Sequence, residues 1–430
     1  MNSKPPHVLV VGDGIAGTAA VFAALEAGAQ VTLSAAGAGA TALSSGAVDD
    51  VAWDEVLHAA RTSGAELRAK ALDPRVVAFS KALGIWRLPD LNEPLALLAT
   101  TAGVVRPARG HDRALLDLST IGSGQVAVPK VDRAGWESPL LASAWNTDGE
   151  MRRRGISFVS VDAALLRFEG EDRISDADLA ARHDDPARIS WLAARLHEAL
   201  HRTTLRPAAV LLGPWLGLSS PRALELEKVL GIPCGEALMG VGGPAGMRLV
   251  RARDRWLQSV SVGRKGRTAE LDLTRDDRGR PIVRFDGEDG EHTFDSVVLA
   301  VGGLTGGGIV YDPLDAQATT DMPDRYRPTF HLSVDIQANS EAEQPYFAAA
   351  GVRIGVVGSM FGPALDLSAW PSPGRLGRLE QIGIACNAEG RVAPHLAAAG
   401  NVVADRARTM LSAVMSGLKA GKWAATEFEA

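Results

Sequence analysis

Cysteine is nearly absent: the 430 residues contain two, Cys234 and Cys386, far apart and in unrelated contexts. No C-x-x-C occurs. The chain therefore cannot by itself ligate an iron–sulfur cluster or a four-cysteine zinc. A disulfide framework is excluded too, which suits a reducing compartment, and each thiol is expected to be buried. A basic surplus is also lacking. Lys and Arg number 45 against 51 Asp and Glu, for a net charge of −6, which argues against nucleic acid as a main partner. The basic run Arg152, Arg153, Arg154 reads as a solvated loop. No uncharged apolar run reaches the roughly eighteen residues of a membrane span. Ile15 to Leu25 is apolar but short, and Glu26 caps it. Met1 to Pro6 is polar and shows no secretory pattern, so the expectation is a cytosolic chain. There is no fixed-period repeat and no low-complexity tract.

Apolar residues make up 46% of the sequence, enough for a sizeable core and against global disorder. The length suits two or three domains. The most informative stretch is HVLVVGDGIAGTAAVFAALEAGAQVTLS, at the N-terminus. An apolar strand, Val8 to Val11, enters a turn with Gly12, Gly14 and Gly17 at G-x-G-x-x-G spacing. A helical stretch, Ile15 to Ala27, follows, and after Gly28 comes a second apolar strand, Gln30 to Leu33. This strand–turn–helix–strand context turns a weak glycine pattern into a strong one. The first glycine permits the tight turn, the second lets backbone approach a phosphate, and the third lets helix pack on strand. The helix start, with Ile15 and Ala16, aims free N–H groups and a positive dipole end at that phosphate. The alternative is a glycine-rich βα turn that binds nothing.

One element of the fingerprint is missing. At the end of the second strand an Asp or Glu is expected for a ribose 2′-hydroxyl. Ser34, Ala35 and Ala36 stand there, and no carboxylate follows until Asp49. The phosphate grip is supported and the adenosine-ribose grip is not; Ser34 offers a weaker hydrogen bond. The turn Ser44, Ser45, Gly46 offers hydroxyls and backbone N–H groups to a phosphate or a flat ring, or serves as an ordinary turn and cap.

Farther along, helices are expected at Pro74 to Leu83, Ser175 to His183 and Pro186 to Arg202. Ser220 is expected to cap another, with Pro221 at its first position, ending at Gly231. Residues 255 to 298 alternate apolar and polar side chains around DDRG and DGEDG turns, which indicates an antiparallel meander. Its last strand, Ser296 to Val301, is continuously apolar, as a buried parallel strand would be. It ends at Gly302 and Gly303, a second place where backbone can press against a flat ligand. Residues 311 to 375, rich in proline, read as a loop-rich cap. LAAAGNVV, Leu396 to Val403, reads as a strand entering Gly400 and Asn401. The small-residue helix Thr409 to Ala425, with Ser416, Gly417 and Gly421, is suited to packing tightly on a sheet or a cofactor.

The N-terminal fingerprint, the VVLAVGG strand and the C-terminal LAAAGNVV…SGLKAG segment together resemble flavoproteins that bind FAD in a two-part dinucleotide fold. Within that group the chain is most similar to the B-type flavoprotein subunit of anaerobic glycerol-3-phosphate dehydrogenase. The similarity rests on SSGAVD (Ser44 to Asp49), LGPWLGL (Leu212 to Leu218), VLGIPCGEALMGVGGPAGMRL (Val229 to Leu249), SVVLAVGGLTGGGIV (Ser296 to Val310) and AAAGNVV (Ala397 to Val403). A departure lies in NVVADRARTM, where Asp405, Arg406 and Arg408 bring bulk and charge to a segment that tends to be glycine-rich.

The resemblance implies an α/β, Rossmann-type FAD/NAD(P)-binding fold built from both chain ends, with an inserted α+β cap. The expected divisions are 1–60 for the first part of the flavin domain, 61–250 for the cap, 251–310 for the meander and return strand, 311–380 for a loop-rich cap and 381–430 for the C-terminal flavin segment. It implies oxidation of glycerol 3-phosphate to dihydroxyacetone phosphate, with electrons passed to quinone. The implied partners are a second flavoprotein subunit and an iron–sulfur, membrane-attached subunit, giving a peripheral place on the inner face of a membrane. FMN is the usual flavin of that family, whereas the glycine fingerprint is of the FAD type; FAD is the expectation and FMN the alternative. His331, beside Arg325 and Arg327, is the candidate base next to a phosphate clamp; a structural histidine among surface arginines is the other reading. His111 with Arg109 and Arg113 is second choice. Two further functions stay open: an electron-relay or scaffold subunit, and a free-standing flavin oxidoreductase on another 2-hydroxy compound.

Overall fold

A computed structural model describes residues 4–35, 37, 39–51, 68–203, 205–266, 268–272, 276, 280–313, 330–334, 337–339, 347–349, 352–354, 383–404 and 406–428. The elements used below are, in chain order, β1 (His7–Val11), α1 (Ile15–Glu26), β2 (Gln30–Ser34), β3 (Gly124–Lys130), α2 (Ser138–Trp145), β4 (Ile156–Asp162), α3 (Pro186–Arg202), β5 (Ala209–Leu212), α4 (Ala223–Leu230), β6 (Cys234–Glu236), β7 (Gly263–Lys265), β8 (Ser296–Leu299), β9 (Arg391–Ala393), β10 (Leu396–Ala398) and α5 (Met410–Thr426). The chain divides into two compact units, 1–41 with 257–430, and 42–256.

The first unit joins the two chain ends. Its sheet runs β7-β2-β1-β8-β10-β9. All neighbours are parallel except β9, which lies antiparallel to β10. Leu9 sits between Thr32 and Val297, and Val297 between Leu9 and Leu396. Strands this central are covered on both faces, which explains the apolar run of Val297, Val298 and Leu299 in β8: these residues and Ser296 are all buried. This is the Rossmann-type α/β arrangement. Beside it, residues 268–272, 282–285 and 292–293 form the antiparallel meander.

Helix α1 is buried nearly all round, from Ile15 to Ala24. The partner that covers it is α5, and glycine makes the approach close. A Cβ on Gly417 would lie 2.1 Å from the Ala16 carbonyl oxygen, and one on Gly421 would lie 2.1 Å from that of Ala20. The small residues of α5 thus serve helix packing.

The second unit carries a parallel sheet in the order β6-β5-β3-β4. Its core includes Trp136, Trp145, Leu192, Leu196 and Leu211. Helices Pro74–Leu83 and α3 begin and end as the sequence indicates, with Asp73 and Asp185 as N-caps.

Several expectations are corrected. The helix expected after Ser220 starts at Ala223 with Arg222 at its N-cap, and Ser220 does not cap it. Arg255 to Ser259 belong to a helix, Pro244–Ser259, and not to the meander. Buried Leu249, Ala252 and Leu257 sit at helical spacing there and outweigh the local alternation. The described parts of the stretch read as loop-rich are short strands: Ile309–Pro313 pairs with Phe330–Val334, and Phe347–Ala349 with Val352–Ile354. Among the described residues no helix is long and apolar enough to cross a membrane.

Candidate functional site

The site builds up at the carboxyl ends of β1, β8 and β10, all in the first unit. β1 runs into Gly12, whose φ of +105° suits glycine. Its N–H donates to the Ser34 carbonyl at 2.7 Å, and the Ala300 N–H donates to the Val11 carbonyl at 2.7 Å. A Cβ on Gly12 would lie 2.3 Å from the Ala300 carbonyl oxygen. Gly17 is just as confined, because its Cβ would lie 1.8 Å from the Gly12 oxygen. These two glycines are required by the packing of turn, helix and neighbouring strand.

Gly14 is different. It is the N-cap of α1 with φ −61° and ψ 178°, a conformation open to any residue, and no side chain caps the helix from that position. Among the described residues a Cβ there would meet only the Thr41 hydroxyl, at 3.4 Å. Neither backbone strain nor packing demands a glycine. The Ile15 N–H donates to Thr41 Oγ1 at 2.9 Å. The N–H groups of Ala16 and Gly17 follow, at the helix start where intrahelical acceptors run out. Donors and a positive helix end below an open position suit an anion such as a phosphate.

Other segments converge there. Gly302 has φ +91°. A Cβ on Gly303 would lie 2.7 Å from the Asn401 oxygen and 2.8 Å from Arg408 Nη1. A Cβ on Gly400, at φ +75°, would lie 2.6 Å from the Ala16 Cβ, and the Gly400 N–H donates to Ser416 Oγ at 3.1 Å. Gly306 approaches the Ala40 N–H, 3.4 Å from where its Cβ would be. The structure therefore brings together Gly12, Gly14, Ile15, Ala16, Gly17, Gly302, Gly303, Gly400 and Asn401. Thr41 and Ala40 were not anticipated. They lie far from the turn in sequence, and no local pattern marks them.

Ser34 sits at the end of β2, fully buried, with its hydroxyl donating to the Gly266 carbonyl at 2.7 Å. Its donor is spent on the chain itself, where the sequence offered it as a weak hydrogen bond to a ribose. Ser44, Ser45 and Gly46 belong to the second unit. There Ser44 Oγ accepts the Gly46 N–H at 3.2 Å. Gly46, at φ +96°, packs against Ala245, Leu115 and Asp112. His331 lies on strand Phe330–Val334 opposite Asp312. Its side chain, and Arg325 and Arg327, lie outside the described residues.

The second-choice cluster is largely interior. Arg109 is buried, donating to the carbonyls of Lys70 and Pro89, with Asp50 3.7 Å from its Nε. His111 is buried on strand Gly110–Asp112, its Nδ1 2.8 Å from the Asp112 oxygen. Burial pushes its pKa below the ordinary histidine value against the pull of Asp117. Arg113 is exposed, and its Nε donates to the Trp86 carbonyl at 3.2 Å. Two of the three serve the interior of the second unit.

That interior holds charge the sequence did not reveal. Arg248, fully buried, bridges Asp112 at 2.9 Å and Glu236 at 2.5 Å. Glu171, also fully buried, accepts from Arg182 at 2.8 Å, Arg188 at 2.6 Å and the N–H groups of Arg167 and Phe168. Burial alone would raise its pKa, but these donors overcome that and hold it at about 2. His183 is buried with Nδ1 2.8 Å from the Trp215 oxygen and, among the described residues, no partner on Nε2. Burial and nearby Arg188 push it down to about 4. Such residues look like ordinary helix and loop charges until the fold encloses them.

No protein-family model matches the chain, and no curated protein sequence does either. Solved structures similar to it include Sdh1 of Mycobacterium smegmatis in complex with UQ1, at 12% identity and TM-score 0.31, over 99% of this chain and 69% of that one. A flavocytochrome c3 fumarate reductase in the open conformation gives 12% identity and TM-score 0.34, over 99% and 79%. Iminodiacetate oxidase (IdaA) from Chelativorans sp. BNC1 gives 14% identity and TM-score 0.28, over 97% and 94%. With similarity this low, the functional reading rests on the chain's own residues.

Proposed function

We propose that the glycine cradle of the first unit holds a flavin nucleotide, FAD with FMN as the alternative, and that the chain is a flavin-dependent oxidoreductase. The observation that carries this is Gly14. Nothing among the described residues needs a glycine there, and a side chain would fill the space above the first amides of α1. That is the space a nucleotide phosphate needs. The Ala16 and Gly17 N–H groups would hold the phosphate, while the Gly302–Gly303 backbone and Asn401 would border the rest of the cofactor. Ser34, already engaged with Gly266, supports weak or absent contact with an adenosine ribose.

When bound, a flavin supplies an acceptor for the hydride of a substrate carbinol carbon. The resemblance to the anaerobic glycerol-3-phosphate dehydrogenase flavoprotein supports glycerol 3-phosphate as substrate, dihydroxyacetone phosphate as product and quinone as the eventual electron acceptor. His331 is the residue we assign to take the hydroxyl proton, and Arg325 and Arg327 to bind the substrate phosphate. With two cysteines in the whole chain, any iron–sulfur cluster in the electron path belongs to a partner subunit. The test is reduction of an artificial acceptor by the flavin-loaded chain, alone and with its partner subunits, on glycerol 3-phosphate and other 2-hydroxy compounds. Turnover confined to glycerol 3-phosphate is the expected result. Turnover of a different 2-hydroxy compound in its place would overturn the substrate assignment, and none under any condition would leave a relay or scaffold subunit.

A further inference from the structure

Two histidines stand one turn apart on the exposed face of α3, in the second unit. The Nε2 atoms of His197 and His201 are 2.9 Å apart and share a hydrogen bond, whose proton a bound cation would replace. Their rings are 4.2 Å between centroids and 78° between planes. The helix beneath them is firmly seated: Asp185 caps its start, and Ile189, Leu192, Leu196 and Ala199 bury its opposite face. Two imidazole nitrogens thus stand within reach of one ion on a well-seated helix, as a metal site needs. Neither histidine is used by the nucleotide site.

The spacing carries chemical information. Imidazole nitrogens bind first-row metals at about 2.0–2.1 Å. An ion at that distance from two nitrogens 2.9 Å apart sees them at about 90°. That is the cis angle of a tetragonal or octahedral ion, and it falls short of the tetrahedral angle zinc prefers. Tetragonal sites with N and O ligands select Cu2+ or Ni2+. Among the described residues no group of three His, Cys, Asp or Glu is placed to hold a metal, so of these residues the two imidazoles are the ligands on offer. We propose that His197 and His201 form a surface site for one tetragonal divalent transition-metal ion, Cu2+ or Ni2+.

The test uses the full chain without a histidine tag. Ni2+ and Zn2+ binding are measured by calorimetry, and Cu2+ binding by electron paramagnetic resonance, for the native chain, His197→Gln and His201→Gln. The expected result is one Ni2+ per native chain, bound more tightly than Zn2+, and a Cu2+ spectrum with two nitrogen ligands. Either substitution should weaken uptake by about tenfold or more, because the second imidazole no longer acts at high effective concentration. Circular dichroism should not change, since both side chains are exposed. Native-like affinity in both variants, no uptake by the native chain, or Zn2+ bound more tightly than Ni2+ would overturn the proposal.

Discussion

Gly12 and Gly14 lie two residues apart in one turn, and the structure gives them opposite reasons for being glycine. At Gly12 an alanine meets a backbone at φ +105° and a carbonyl oxygen 2.3 Å from its Cβ. The strained conformation alone costs about 1–3 kcal/mol, and displacing the Ala300 carbonyl adds to it. At Gly14 an alanine adopts φ −61° freely, and its Cβ comes no closer than 3.4 Å to another atom. Losing a glycine N-cap costs a few tenths to about 1 kcal/mol, and the stiffer unfolded chain returns a similar amount. So Gly14→Ala should leave the flavin-free protein within about 1 kcal/mol of native, whereas Gly12→Ala should lose about 2 kcal/mol or more. Flavin retention should follow a different order, weakened by Gly14→Ala and abolished by both Gly14→Val and Gly12→Ala. The assay is urea unfolding of the stripped proteins beside the flavin-to-protein absorbance ratio of the loaded ones. Full flavin occupancy in Gly14→Val would refute the reasoning. So would a loss of stability in Gly14→Ala as large as that in Gly12→Ala.

Glu171→Gln leaves Arg188 facing an uncharged partner in a fully buried site and should cost about 3 kcal/mol, read as a lower urea midpoint for the second unit. His183 gives that unit an acid-sensitive step. Folded, it takes a proton only near pH 4; unfolded, it does so near its ordinary 6.5. Between those values only the unfolded state binds the proton, so stability should fall as pH drops through that window, by up to about 3 kcal/mol. His183→Gln should flatten that slope; an unchanged slope would show that another group carries it. Gly421→Val drives a side chain into the Ala20 carbonyl and should part α5 from α1, costing about 1–3 kcal/mol. A native melting temperature in that variant would show the two helices to be less tightly coupled than their spacing indicates.

The parts of the fold legible in the sequence are those where local chemistry and burial agree. β1, the glycine turn and α1 follow from one apolar run, three spaced glycines and a small-residue helix. The buried parallel strand β8 shows in its apolar run of Val297, Val298 and Leu299, and α3 and α5 in their helical stretches from Pro186 and Thr409. The rest depends on what the chain folds against. The Ser34 hydroxyl finds Gly266, 232 residues away. Gly417 and Gly421 face α1, and sequence alone allowed a sheet or a cofactor equally well. Arg255 to Ser259 alternate like a strand, yet they extend a helix whose buried face begins earlier. Arg109 is interior because carbonyl and carboxylate partners come to it from distant segments, whereas His111 is enclosed on its strand with Nδ1 on the carbonyl of the neighbouring Asp112.

The central claim concerns what the first unit binds. Acid release of small molecules from the purified full-length chain, with chromatographic and absorbance identification, tests it most directly. The expected result is a yellow protein releasing one flavin per chain, FAD before FMN. A colourless chain that also takes up neither FAD nor FMN on incubation would contradict it.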